Sequence, residues 1–98
     1  MYGTVARLRT RPGMGEQLEG MSAEYETVAV DGHIANYLYR LDDASDDYYL
    51  VVLFRDRESY HRNANDPAQN ERYLRMRELL AEDPRWHDGE VIQAFSRT

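Results

Sequence analysis

The chain has 98 residues and contains neither cysteine nor lysine. Without a thiol it forms no disulfide, no thiolate nucleophile, no iron–sulfur cluster and no cysteine zinc site. Without a lysine amine it carries no side-chain Schiff base, which excludes covalent pyridoxal phosphate. Long apolar runs are missing too. None approaches the roughly 20 residues of a membrane span, and the opening MYGTVARLRT lacks the apolar centre of a signal peptide. The expectation is a soluble, cytoplasmic protein with no membrane partner. Basic charge is scarce: twelve arginines face eighteen acidic residues, a net charge of −6. A phosphate backbone would be repelled. Arg72, Arg75 and Arg77 alternate with Glu71 and Glu78, the pattern of a solvated helix face rather than a basic patch. Nucleic acid is not an expected partner.

What remains is a globular composition, 42% hydrophobic, in one domain spanning residues 1–98. Residues 2–10 alternate in character and predict a strand, broken by Arg11-Pro12-Gly13. Met14, Leu18, Met21, Tyr25 and Val28 recur at steps of four and three, one stripe of an amphipathic helix with Gly13 as its N-cap. Residues 32–41 and 47–55 predict a second and a third strand. The intervening DDASDD, with four aspartates, reads as an exposed hairpin connection. It is not an EF-hand, because the sixth and twelfth positions from Asp42 are Asp47 and Leu53 where Gly and Glu are needed. Asp56 is placed to cap a short helix from Arg57, and Asp66-Pro67 to start another carrying Tyr73, Met76 and Leu80. Asp83-Pro84 ends it, and residues 90–96, EVIQAFS, predict the last strand. The order βαββαβ implies an α+β, ferredoxin-like fold: an antiparallel sheet with helices on one face.

The third strand is apolar on both of its faces. Leu50, Val52 and Phe54 are expected to meet the helices, leaving Val51 and Leu53 on the bare side with Tyr49, Leu38, Ile34, Val5 and Ile92. Uniform hydrophobicity marks a sheet covered on both sides. A second copy, related by a two-fold axis, is the simplest cover. The expected partner is therefore the chain itself, through Val51, Leu53, Tyr49 and Leu38.

Three stretches give the chain a family likeness. They are the first strand followed by RPG and a helix, the DGHI that leads into the second strand, and LFRDRESYHRN. In the last, Phe54, Asp56, Glu58, Ser59 and Tyr60 match an aromatic, an acidic or small residue two places on, then Glu, Ala or Ser, and an aromatic. The chain resembles the antibiotic biosynthesis monooxygenase family of dimeric α+β barrels. That resemblance implies oxidation of an aromatic substrate by dioxygen without metal or flavin, so no cofactor is expected. The tryptophan that such enzymes place at the end of the third strand is Phe54 here, and the asparagine four residues earlier is Leu50. The tyrosine six residues later is retained as Tyr60. Near the arginine of the following helix stand Arg72 and Tyr73. The haem-degrading relatives match less well: their first-strand asparagine, helix tryptophan and haem-ligating histidine correspond to Ala6, Asn63 and Tyr73, which argues against haem degradation.

A cleft is expected between helices and sheet. Asn63 and Ala64 follow Tyr60 by three and four residues and share its helix face. His33, Ala35, Tyr37 and Tyr39 alternate, and that face is expected to look into the same cleft. An aromatic-walled space with a few polar groups suits a flat, partly hydroxylated ligand. The catalytic candidates are Tyr60, His33 and His61, the histidines as possible bases by their ordinary pKa. The candidates for binding substrate are Tyr37, Tyr39, Asn63, Phe54 and Tyr73. The three histidines show no i, i+3 or i+4 spacing, so no metal site is expected. Blander readings stand beside these: Tyr60 as a core aromatic, Asn63 as a helix-ending residue, Trp86 as a loop anchor. The functional expectation is a monooxygenase acting on a small phenolic or quinol-type aromatic. The alternative is a non-catalytic small-molecule-binding or structural homodimer of the same fold.

Overall fold

The computed structural model describes residues 1–97. The elements run β1 (Tyr2–Arg9), α1 (Gly15–Glu24), a 3-10 turn (Tyr25–Thr27), β2 (His33–Leu41), β3 (Ala44–Phe54), α2 (Arg57–Ala64), α3 (Pro67–Arg77) and β4 (Arg85–Glu90). The strands form one antiparallel sheet in the order β2-β3-β1-β4, with the helices on one face: the ferredoxin-like α+β arrangement. Among the described residues no helix is long and apolar enough to cross a membrane.

Sequence signals account for most element ends. Asp56 accepts the backbone N–H of Ser59 at 2.8 Å, and Asp66 accepts that of Ala68 at 2.9 Å with Pro67 at the first helical position. The DDASDD segment turns more tightly than expected. Leu41 pairs with Ala44 across a turn of Asp42-Asp43 alone, and the rest of the segment belongs to β3. Gly13 does not cap α1. It makes a left-handed turn at φ 80°, and Met14 occupies the cap position.

The last strand lies one segment earlier than expected. It is RWHDGE, 85–90, not EVIQAFS, 90–96. All six residues are exposed, so hydrophobic pattern does not mark this strand; its backbone ladder to β1, from Tyr2↔Glu90 to Arg7↔Arg85, defines it. The ladder ends at Tyr2↔Glu90. Val91 donates to the carbonyl of Met1 at 2.9 Å, and beyond it Ile92 and Phe95 lie outside the strand, 93% and 75% exposed. The expected role of Ile92 on the bare sheet face therefore falls away.

β1 and β3 are the central pair. Their register, Tyr2↔Phe54 through Arg9↔Asp47, puts Thr4, Ala6 and Leu8 with Tyr48, Leu50, Val52 and Phe54 on the helix side. Ala6, Leu8, Leu18, Tyr48 and Leu80 form the buried core. Val5, Tyr49, Val51 and Leu53 occupy the other face, as expected. Beyond them on that face, the Asp47 carboxylate receives Arg9 at 2.8 Å and Arg7 at 3.1 Å. Hydrogen bonding from Arg9, then the nearby positive charges, hold its pKa below the usual carboxylate range against the opposing pull of burial.

β2 carries the main surprise. His33 pairs with Phe54, but Leu53 pairs with Ala35, so Ile34 is an extra residue in a β-bulge. The bulge inverts the alternation that the sequence suggests. Asn36, Leu38 and Arg40 pair with Val52, Leu50 and Tyr48 on the helix side; Ala35, Tyr37 and Tyr39 pair with Leu53, Val51 and Tyr49 on the bare side. Leu38 thus leaves the predicted partner surface and packs against the core. Tyr37 and Tyr39 leave the predicted cleft, and both are about 60% exposed on the far face.

Gly3 marks the closest approach within the central pair. A Cβ there would lie 1.8 Å from the carbonyl oxygen of Val52 and 2.9 Å from its carbon. Neither backbone atom can yield without opening the ladder. Gly3→Ala is expected to lower stability by about 3 kcal/mol, the upper part of the range for overpacked sites, measured by urea unfolding; a loss below about 1 kcal/mol would show that the strands separate easily there.

Candidate functional site

The space between helices and sheet is a cavity of about 600 Å³. Its floor is apolar, with Leu8 from β1, Leu38 from β2, and Leu50, Val52 and Phe54 from β3. Met21 and Tyr25 close one side; Tyr60, His61, Asn63 and Ala64 come from α2, and Arg72, Tyr73 and Met76 from α3. Trp86 and Asp88 enter from β4, because alternate residues of that strand point to the helix side.

The α2 contribution depends on the Asp56 cap and on Gly32. Gly32 has φ 80°, and a Cβ on it would meet the Cβ and Oγ of Ser59 at 2.5 Å. This contact seats the first turn of α2 on the start of β2. Tyr60 then turns inward over Phe54, with ring centroids 5.7 Å apart and nearly perpendicular, and over Tyr2 at 5.3 Å. Its hydroxyl donates to Oδ1 of Asp88 at 2.8 Å. Burial raises the phenol's pKa strongly, and the Asp88 carboxylate raises it further. Tyr60 is therefore neutral at any working pH, and its proton is committed to Asp88.

His61 packs edge-on against Tyr60 at 5.3 Å and tilted against Tyr2 at 5.7 Å, and Arg57 donates to its Nε2 at 3.4 Å. It borders the cavity rather than facing solvent alone. His33 lies elsewhere. Its ring packs edge-on against Phe54 at 5.4 Å and its Nε2 meets the Asn36 amide oxygen, in a neighbouring recess shared with Glu19 and Tyr48. Across the cavity, Tyr25 and Arg72 both donate to the Gln69 side-chain oxygen, at 2.8 and 3.0 Å, and the Arg72 guanidinium lies 5.3 Å from the Tyr25 ring. Tyr73 and Trp86 pack with centroids 6.1 Å apart.

Of the residues singled out from the sequence, Tyr60, His61, Asn63, Phe54 and Tyr73 come together around the cavity. His33 is a neighbour separated by Phe54, and Tyr37 and Tyr39 are on the opposite side of the sheet. Sequence reasoning missed Thr4, Asn36 and Asp88, and set Trp86 down as a loop anchor before a pocket wall. The alternation of Trp86 and Asp88 was the available signal, hidden once the last strand was placed after it.

An antiparallel ferredoxin-like sheet with a helix-side cavity defines the structural class, and comparison with known proteins places the chain within it. The family model for antibiotic biosynthesis monooxygenases matches residues 1–71. The chain belongs to the antibiotic biosynthesis monooxygenase family. No curated protein matches it by sequence. Among solved structures it is similar to SnoaB, a cofactor-independent oxygenase from Streptomyces nogalater (TM-score 0.82, 16% identity, covering 98% of this chain and 97% of that one). It is also similar to a candidate antibiotic biosynthesis monooxygenase from Bordetella bronchiseptica (0.80, 20%, 94% and 97%) and to a conserved protein from Methanosarcina mazei Go1 (0.77, 14%, 90% and 89%). At these identities the likeness is one of fold.

Phe54 joins the cavity floor to the Tyr60, His33 and Tyr2 side of the site and is fully buried. Phe54→Ala is expected to cost about 3–5 kcal/mol, as large-to-small changes in cores do, read by chemical denaturation. A cost under about 1 kcal/mol would mean that the aromatic cluster collapses over the gap.

Proposed function

We propose that this chain is a cofactor-independent monooxygenase that acts on a small phenolic or quinol-type aromatic. Family membership and the cavity support the reading; the observation that carries it is an apolar, aromatic-walled space of about 600 Å³ with polar groups at its rim, sized for a two- or three-ring molecule. His61 is the base that borders this space. With the long Arg57 bond to its Nε2 released, it would take a phenolic proton there, and the electron-rich substrate anion would pass electrons to dioxygen. The balance is closed without another reductant: a naphthalenediol and one dioxygen give a hydroxynaphthoquinone and one water. Asn63, Phe54 and Tyr73 would hold the ring system, and Tyr60 would position it as a neutral phenol. Accelerated oxygen uptake over buffer autoxidation is expected with a dihydroxynaphthalene panel, falling roughly 100-fold or more in His61→Ala, the usual scale of general-base loss. No acceleration with any diol, or equal rates for the variant, would overturn it.

A second reading, binding without turnover, draws on Phe54 and Leu50. Both are apolar cavity residues where the resemblance implies tryptophan and asparagine. Thermal stabilisation by an aromatic ligand with no oxygen uptake would support it.

The same proposal includes a homodimer closed over the bare sheet face and located in the cytoplasm. Val5 is 43% exposed there, and Tyr37 and Tyr39 about 60%, beside Val51 and Leu53. Sedimentation equilibrium at micromolar concentration is expected to give twice the 11.5 kDa chain mass, and Val51→Arg to give the single-chain mass. A monomeric wild-type chain would sink the dimer.

A further inference from the structure

One corner of the cavity has more acceptors than protons. Asp88 stands opposite Thr4 in the β1–β4 ladder, and Tyr60 reaches the pair from α2. The phenolic proton of Tyr60 is already donated to Oδ1 of Asp88. Among the described residues no hydrogen bond reaches Oδ2. A carboxylate only accepts, and a phenol has one proton to give. Thr4 is 4% exposed, lines the cavity, and its Oγ1 has no hydrogen-bond partner. It lies near enough to the Tyr60 oxygen to lower that phenol's pKa against the larger effects of burial and Asp88, yet no hydrogen bond of good geometry holds its proton, which is the one of the three groups left to give. A buried hydroxyl left unpaired costs stability and calls for a partner.

We propose that Asp88 and Thr4 make this corner a selective site for a ligand hydroxyl, so that the protein binds a phenol or quinol and discriminates against the matching ether or quinone. A hydroxyl satisfies both groups at once: it donates to the free Asp88 oxygen and accepts from Thr4. A quinone carbonyl or an aryl ether has no proton to give. Placed there, it presents lone pairs to a carboxylate and can satisfy Thr4 alone. A ligand carboxylate is disfavoured by like charge. Asp88 is thus a specificity-determining residue, and its preference runs with the oxidation reaction: reduced aromatic in, oxidised aromatic out. The inference rests on the proposed reading of the cavity as the ligand site, but it requires no turnover.

The test is anaerobic isothermal titration of the full chain with 1-naphthol, 1-methoxynaphthalene and 1,4-naphthoquinone. The wild-type protein is expected to bind the naphthol at least about tenfold more tightly than the ether or the quinone, the scale of one hydrogen bond to a charged acceptor. Asp88→Asn, whose amide can still accept from Tyr60 and can also donate, is expected to shrink that preference several-fold and to strengthen quinone binding. Its thermal melt, compared with wild type, checks that the fold is kept; Asp88 lies exposed on an edge strand. Equal wild-type binding of naphthol and ether, binding of none of the three probes, or an undiminished preference in folded Asp88→Asn would each overturn the assignment. The wild-type comparison decides even if the variant fails to fold. Because no oxygen is present, selectivity without later oxygen uptake would overturn the oxygenase reading alone. Oxygen uptake without selectivity would overturn the role of Asp88 alone.

Discussion

The ladder between β1 and β3 is the constraint on which the other features depend. Side chains in a strand alternate with a period of two, so a slip of one residue would send every core residue to the far face. The close approach at Gly3, where the Val52 carbonyl leaves no room for a side chain, ties the two strands together at one point. The Asp47 carboxylate, gripped by Arg7 and Arg9, marks the other end of the same ladder. Between these points Thr4, Ala6 and Leu8 must meet the helices, and Val5 must not. The cavity floor, the bare face and the pairing of Thr4 with Asp88 all follow.

The cavity is a place where packing stops short, and its edges show why. Tyr60, Tyr2, Phe54 and His33 form a chain of edge-to-face aromatic contacts along one side. Tyr25, Gln69 and Arg72 form a polar strut on another. Each cluster is internally satisfied, so helices and sheet are held apart by rigid groups rather than by filling side chains. That is how a chain of 98 residues, with six buried apolar side chains among the described residues, keeps open a volume for a guest. The polar atoms left over lie where α2 meets β4, at Thr4 and Asp88.

Local chemistry was legible in the sequence where it acts within a few residues. The Asp56 and Asp66 caps, the proline at a helix start and the placement of Tyr60 on the helix after the third strand depend on neighbours in the chain, and all can be read directly. The two-sided apolar character of β3 was legible for the same reason, since alternation is a local property. Two features were not. β4 is exposed along its whole length, so no hydrophobic pattern marks it; its existence depends on β1, some eighty residues away. The Ile34 bulge depends on the partner strand rather than on any residue type in β2, and it exchanged Tyr37 and Tyr39 for Asn36 and Leu38 as cavity neighbours. The likeness in LFRDRESYHRN identified the family because it spans a strand-to-helix junction, where cap, turn and inward aromatic are set together.

The bulge also makes β2 uneven in its tolerance of length change. Deleting Ile34 would restore plain alternation between His33 and Ala35, and Asn36, Leu38 and Arg40 would keep their orientation. Deleting one residue between Asn36 and Arg40 would instead exchange inside for outside along the rest of the strand. It would turn tyrosines toward the guest and leucine toward the opposite surface. Relatives that differ by one residue before Asn36 can therefore share a binding wall, whereas those that differ after it present a different one, even at similar overall composition.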